Sequence, residues 1–328
     1  MPARLPDGVV AAVPYAVPLT ERFRGITVRE GMLLRGPVGW GDFCPFPEYG
    51  DDVARAWLAT AVEAATEGWP QPVRDSVPVN ATVPAVGPER AREIVAASGC
   101  RTAKVKVADH PASLAEDEAR LEAVRDALGP DGAIRVDANG VWDVDTAVTH
   151  LRALDRAAGG LEYAEQPCAT VEELAAVRRR VDVPIAADES IRRAGDPMRV
   201  AVAGAADVAV IKCTPLGGVR RALRVAEAVA DAAGLPVVVS SALETSVGLA
   251  AQLALAGALP ELRHACGLGT LALLTDDVVA PGLQLRPVDG RLPVPRTPPA
   301  PDPERLARLA PDGGRAEWWR ARLARATG

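Results

Sequence analysis

Two hydrophobic rhythms alternate along most of this chain. Short apolar runs rich in Val and Ala occur at 77–83 (VPVNATV), 102–107 (TAKVKV), 133–137 (AIRVD), 161–165 (LEYAE), 184–188 (PIAAD), 208–212 (VAVIK) and 236–241 (PVVVSS). Between them lie stretches such as SLAEDEARLEAVRDAL and VRRALRVAEAVADAAG, with apolar residues at i, i+3 and i+4. The first rhythm predicts strands and the second amphipathic helices. Gly or Pro often closes a helical run before the next strand, as in AAGLP at 232–236,. Seven strand–helix units follow one another at spacings of about 23–35 residues, and an eighth strand is expected near 262–269 (LRHACGLG).

Repeated βαβ units require a parallel sheet covered on both faces. Seven or eight of them predict an α/β fold of the closed-barrel kind over an open doubly wound sheet. No strand runs into GxGxxG or GxxxxGK[ST], so the common nucleotide-binding alternatives lack their phosphate loops,. The barrel is expected over 76–270. Residues 1–75 break the rhythm, are richer in Pro and aromatics (GWGDFCPFPEYG at 39–50), and predict a separate α+β cap. Residues 271–328 are expected to return to that cap, with LARLAPDGGRAEWWRARLARA as a helix packed on it.

Composition narrows the function. The net charge is −6, with no basic run to track a phosphate backbone, so nucleic acid is not an expected partner,. No stretch approaches 18 uninterrupted apolar residues, so no membrane insertion is expected,. The N-terminus, broken by Pro and Asp, lacks a signal-peptide core,. Five dispersed Cys, odd in number and without a CxxC pair, suggest reduced thiols and a cytoplasmic location,. The oligomeric state is left open, a monomer included.

Of the 37 basic residues only three are Lys: Lys104, Lys106 and Lys212. Arg cannot lose its proton near neutral pH and Lys can, so these positions are candidates for proton transfer. Residues i and i+2 of a strand point the same way, so Lys104 and Lys106 share a face. Two ammonium groups about 6 Å apart repel by roughly 2–3 kcal/mol at an effective dielectric near 20. That repulsion is expected to lower one pKa by about two units, toward the range of a general base.

Acidic residues end three of the strands: Asp137 in AIRVDANG, Glu165 in LEYAEQP and Asp188 in PIAADES, with Lys212 ending the next in VAVIKCTP. Parallel barrel strands open their C-terminal ends on one face, where barrel enzymes hold their active sites. Three carboxylates converging there must take up protons or hold a cation. With no His or Cys nearby, the expected ion is a hard one, Mg²⁺ with Mn²⁺ as a substitute. Ammonium groups flanking such a site predict proton abstraction next to a carboxylate, with the developing enediolate stabilised by charge.

KVK, DANG, EQP, ADES and VIKCTP-LGG, in this order and spacing, resemble the enolase superfamily and its muconate-cycloisomerase-like subgroup. The resemblance runs from the aromatic cap segment to about residue 285. It implies a modified TIM barrel, (β/α)₇β, with an α+β capping domain. It implies Mg²⁺ held by Asp137, Glu165 and Asp188, with Lys106 and Lys212 as acid/base lysines and Lys104 tuning them. Within the subgroup FRGITVREG, GDFCPFPEYG, SSALETSVG and CGLGTLALLTDDV are most similar to members that serve menaquinone biosynthesis. Those members dehydrate a hydroxycyclohexadiene carboxylate bearing a succinyl arm to an aromatic acid. By that analogy Lys106 removes the α-proton and returns it to the departing hydroxide, and Lys212 stays protonated. Ser240, Ser241, Gly267 and Arg24 are candidate substrate contacts, each also readable as loop, turn or cap structure. Asn139 and Glu189 are candidate supports of the acids and lysines. His110, His150 and His264 are expected to be structural.

The same pair of lysines could instead racemise an N-succinylamino acid, or serve another reaction of the subgroup such as muconate cycloisomerisation. A dipeptide epimerase is disfavoured, because ACGLGTLALL lacks an Asp-x-Asp for an α-ammonium group. A ligand-binding barrel without catalysis is the reading outside enzymes, and it gives no reason for Lys at three positions in an Arg-rich chain.

Overall fold

The computed structural model describes residues 5–192, 199–200 and 203–328. Eight parallel strands form the barrel: β4 (Ser76–Val83), β5 (Thr102–Lys106), β6 (Ala133–Asp137), β7 (Tyr163–Glu165), β8 (Ile185–Ala187), β9 (Val208–Ile211), β10 (Val237–Val239) and β11 (Cys266–Gly269). They pair in the order β10-β9-β8-β7-β6-β5-β4-β11. A single bridge between Ser240 and Gly267 closes the ring beside β10 and β11. A short antiparallel strand, β12 (Arg291–Pro293), pairs with the first residues of β4, Ser76 to Pro78. The seven expected strands and the eighth near 262–269 are all present, and the fold is the expected capped barrel.

Helices cover the outside of the ring. Among them are α2 (Pro88–Ser98), α3 (Leu114–Leu128), α4 (Val144–Ala158) and α5 (Val171–Arg178). Their ends follow capping chemistry. Asp143 accepts from the Thr146 amide at the start of α4, and Thr170 with Glu173 forms a reciprocal capping box at the start of α5,. The main apolar core lies between strands and helices. A much smaller cluster of Tyr163, Ala186, Val208, Val210 and Val238 fills the barrel interior.

The cap is an antiparallel sheet of β1 (Ala11–Phe23), β2 (Ile26–Arg35) and β3 (Trp40–Phe43), packed on α1 (Asp51–Thr66). Gly41 permits that packing, because a Cβ there would lie 1.9 Å from the Ala61 carbonyl oxygen. Tyr15, Leu33, Phe43 and Trp57 share one buried cluster with Leu271, Leu274 and Val278, and with Trp319 and Leu323 of the helix Gly313–Thr327. The β1–β2 hairpin turns at Arg24 and Gly25, both at positive φ, as a tight two-residue turn requires,. Its tip reaches the C-terminal mouth of the barrel. No helix among the described residues is long and apolar enough to cross a membrane.

Candidate active site

The strand order places β5 and β9 four strands apart in the ring of eight, on opposite sides of the mouth. The three strands between them carry Asp137, Glu165 and Asp188 at or just beyond their ends. Asp137 pairs in register with Lys106 on one side and with Glu165 on the other. The expected lysines and carboxylates therefore meet in one place. Lys104 Nζ donates to both carboxylate oxygens of Glu165 at 2.9 Å and lies 3.3 Å from Asp137. Lys106 Nζ donates to Asp137 at 2.5 Å and to the Asn139 amide oxygen at 2.8 Å. Lys212 Nζ donates to Asp188. All are buried except Lys106, whose side chain keeps 14% of its exposure and is the one that opens toward solvent.

Burial and charge push these groups in different directions. Burial lowers the Lys106 pKa, and the neighbouring Lys104 lowers it further, while Asp137 pulls the other way; the net shift is down. This refines the sequence expectation, because desolvation outranks the repulsion between the two lysines as its cause. Burial also disfavours a charged Lys104, but Glu165 and Asp137 together carry its pKa up. One member of the pair is thus suited to lose a proton and the other to keep it. Burial and repulsion from Asp137 raise Glu165 to about 7, despite its ion pair with Lys104. Asp137 is driven the opposite way: burial alone would raise it, and Lys106 and Lys104 bring it below the usual carboxylate range.

Among the described residues, no three His, Cys, Asp or Glu side chains stand as a bound ion would need them. Lysine ammonium groups supply the countercharge to the acids instead. The donor set still fits a hard divalent cation. It consists of three buried carboxylates from adjacent strand ends, and Glu165 bears the repulsion of both Asp137 and Asp188,. Asp137, Glu165 and Asp188 are the residues that would hold it.

A narrow cleft opens above these groups. Lys104, Lys106, Asp137, Asn139 and Lys212 line one part, and Ser240, Ser241 and Gly267 line another. Arg24 covers it from the hairpin tip, its guanidinium 4.8 Å from the centre of the Phe46 ring. Asn139, at φ +52, accepts from Lys106 and donates to Glu189 at 3.3 Å, so it links the two. Ser241 accepts from the Leu243 amide at 2.8 Å and shares a hydrogen bond with Thr270, which holds the loop together. Ser240 Oγ donates to the Gly267 carbonyl at 3.4 Å. Gly267 lies in a strand; a Cβ there would meet Ser240 Oγ at 2.6 Å, so close strand packing accounts for the glycine.

Several residues at the site escaped the sequence reading. Phe23 and Phe46 form an aromatic roof, with Lys106 Nζ 5.4 Å from the Phe23 ring centre. Thr82 lines the cleft beside Lys104, and its buried hydroxyl has no hydrogen-bond partner among the described residues. Its position near the end of VPVNATV was the available signal. Gln166 accepts from the amides of Asp188 and Ser190 at 3.0 and 3.2 Å, fixing the backbone that presents Asp188. The EQP motif contained it without showing this task. The three His take local contacts: His110 with Glu116, His150 with the Trp142 ring and His264 with Glu162.

Comparison with known proteins places the chain in a family. Residues 88–298 match the family described as enolase C-terminal domain-like, and residues 14–65 match the enolase N-terminal domain-like family. The chain is 64% identical to an o-succinylbenzoate synthase of Thermobifida fusca, over 95% of this chain and 94% of that one. It is 57% identical to an o-succinylbenzoate synthase of Mycolicibacterium smegmatis, over 93% of this chain and 91% of the other. Among solved structures, muconate lactonizing enzyme from Pseudomonas putida superposes with a TM-score of 0.76 at 23% identity, covering 94% of this chain and 100% of that one. That last likeness concerns the fold.

Proposed function

The chain belongs to the enolase superfamily, and we propose that it acts as an o-succinylbenzoate synthase. Its substrate is 2-succinyl-6-hydroxy-2,4-cyclohexadiene-1-carboxylate, and loss of water makes the ring of 2-succinylbenzoate. The observation that carries the chemistry is the pair Lys106 and Lys212 on opposite sides of one mouth, with three carboxylates on the strands between.

Neutral Lys106 takes the proton from the ring carbon that bears the carboxylate, and the C–H electron pair moves into that carboxylate as an enediolate. The pair then returns to form a new ring double bond, between that carbon and its hydroxyl-bearing neighbour, as the C–O bond of the neighbour breaks. Lys106, now an ammonium, gives its proton to the departing hydroxide, which leaves as water. Both transfers use one face of the ring, so the elimination is syn. A depressed Lys106 pKa supports the first transfer,. Lys212 stays protonated and stabilises negative charge from the other face. Lys104, paired with Glu165, holds positive charge beside the base.

Asp137, Glu165 and Asp188 would hold a divalent cation, Mg²⁺ by preference and Mn²⁺ as a substitute, which would supply further positive charge to stabilise the enediolate. Arg24, Ser240, Ser241 and Gly267 line the cleft where the succinyl arm would lie. The five buried free thiols suit a reducing cytoplasm,.

Racemisation of N-succinylamino acids by the same lysines is the second reading, favoured by their placement on both faces. One preparation assayed for both reactions separates them. Ring dehydration is expected to have the higher kcat/KM by at least about 100-fold, and a preference for racemisation would reverse the assignment.

A further inference from the structure

Behind the strand that carries Lys106 lies a buried ion pair that does not touch the cleft. Asp117 and Arg120 sit on the first turns of α3, 1% and 3% exposed. Arg120 Nη1 donates to the Lys106 carbonyl at 3.0 Å and to Asp117 Oδ1 at 2.5 Å. Arg120 Nε donates to the Val86 carbonyl at 2.5 Å, in the loop after β4. Asp117 Oδ2 accepts from the Ala108 amide at 2.9 Å and from the Ser113 hydroxyl at 2.8 Å. The pair therefore grips the backbone on both sides of Val107: the carbonyl of residue 106 and the amide of residue 108.

That backbone is where β5 ends. Ala108 adopts φ +62, a left-handed conformation that disfavours an L-residue with a Cβ,. Val107 makes a last ladder bond to the Asp137 carbonyl at 3.2 Å, and the chain then turns away. Without the grip of Asp117 on Ala108, relaxation of this turn would rotate the peptide that follows Lys106. A long flexible side chain amplifies such a rotation at its tip, and a displacement near 1 Å can slow a positioned transfer by about 100-fold.

We infer that Asp117 and Arg120 are positioning residues for Lys106, clamping the strand end from the helix side so that Nζ meets the substrate proton. The inference rests on Lys106 being the base. The same helix provides a matched control. Arg125 also donates to backbone carbonyls, of Ala158 at 2.6 Å and Gly132 at 2.6 Å, but at the opposite end of the barrel.

The test compares Arg120→Lys, Asp117→Asn and Arg125→Lys in the full chain with saturating Mg²⁺. The readings are kcat, KM, thermal midpoint and the primary isotope effect on kcat with substrate deuterated at the abstracted position. Arg120→Lys and Asp117→Asn are expected to lose about 10- to 100-fold in kcat with KM within about twofold, and to show a larger isotope effect. Arg125→Lys is expected to lower the thermal midpoint and leave kcat and the isotope effect unchanged. A kcat within twofold of wild type in either clamp variant overturns the inference, as does an unchanged isotope effect. If Arg120→Lys does not fold, Asp117→Asn decides on the same readings. Lys106→Arg run alongside keeps the two ideas apart: an active Lys106→Arg removes the base assignment, and an inactive one beside a fully active Arg120→Lys removes only the clamp.

Discussion

At the mouth of the barrel Lys104, Lys106 and Lys212 face Asp137, Glu165 and Asp188. Two residues earlier on β6, nearer the strand starts, Arg135 faces Glu162. Both layers bury charge, yet they use different cations. Arg135 is fully buried, bonds to Glu162 at 2.6 Å and to the Ala265 carbonyl at 2.7 Å, and stacks 4.6 Å from the Tyr163 ring centre. A guanidinium holds one charge in one plane at any relevant pH, which suits a permanent strut. An ammonium can be desolvated into losing its proton, which suits a base. In a chain with 34 Arg and three Lys, the position of Lys separates the layer proposed to move protons from the layer that holds strands together.

The largest test of that contrast is Lys106→Arg. It keeps the charge and removes the proton transfer, so kcat is expected to fall by about 1,000-fold or more. Circular dichroism should be unchanged and the thermal midpoint should move by only a few degrees. Steady-state dehydration kinetics decide it, and activity within a few-fold of wild type would erase the distinction between the layers.

Removal of divalent metal comes next. Excess chelator is expected to cut turnover by about 100-fold or more, with recovery on adding Mg²⁺ or Mn²⁺. Full turnover in chelator would mean that the three acids serve only the lysines.

At the deeper layer the expected effect is on stability. Arg135→Met leaves the partly exposed Glu162 with His264 but without its guanidinium, and losing such a charged hydrogen bond costs about 1.5–3 kcal/mol,. Denaturant unfolding should register that loss while kcat in the folded fraction stays within about twofold of wild type. A large fall in kcat at unchanged stability would show that the layers are not separate.

The smallest effect is a pH dependence. Burial pushes the Glu162 carboxyl up, but His264 and Arg135 outweigh burial and bring it down to about 2 from an ordinary 4.5. A carboxylate with a lowered folded pKa binds fewer protons in the folded than in the unfolded state, so it stabilises above the unfolded value. That contribution fades as pH falls from about 5 toward 2. After discounting for partial solvent screening it amounts to about 1–2 kcal/mol. Wild type and Glu162→Gln, compared by urea unfolding at a series of pH values, should differ most near pH 7 and converge near pH 2. A constant gap would assign the effect to hydrogen bonding instead.

Much of the barrel was legible because each strand is short, apolar and closed by a turn residue. AIRVD ends on Asp137 in the structure as it does in the pattern, whereas the strand of VAVIK stops at Ile211 and leaves Lys212 as the first residue beyond it. Once the strands are parallel and sequential, their ends must share one face, so a linear order of acids and lysines became a ring. The direction of the Lys106 shift was legible for the same reason, but its main cause was not. Strand spacing displays the neighbouring Lys104, whereas desolvation depends on the hairpin that covers the mouth. Phe23 and Phe46 went unread because each bears on the cleft through contacts that no local period records.

By itself, the sequence determined the alternation of strand and helix, the residues at the strand ends and the choice of Lys at three places. These are local properties, set by side-chain period and by the chemistry of one residue at a time. Only the tertiary structure decided which carboxylate each lysine meets, that the cap lays Phe23 and Arg24 over the mouth, and that Arg120 holds the carbonyl of Lys106. Those contacts join segments far apart in the chain, and their geometry follows from how the ring closes and how the cap docks on it.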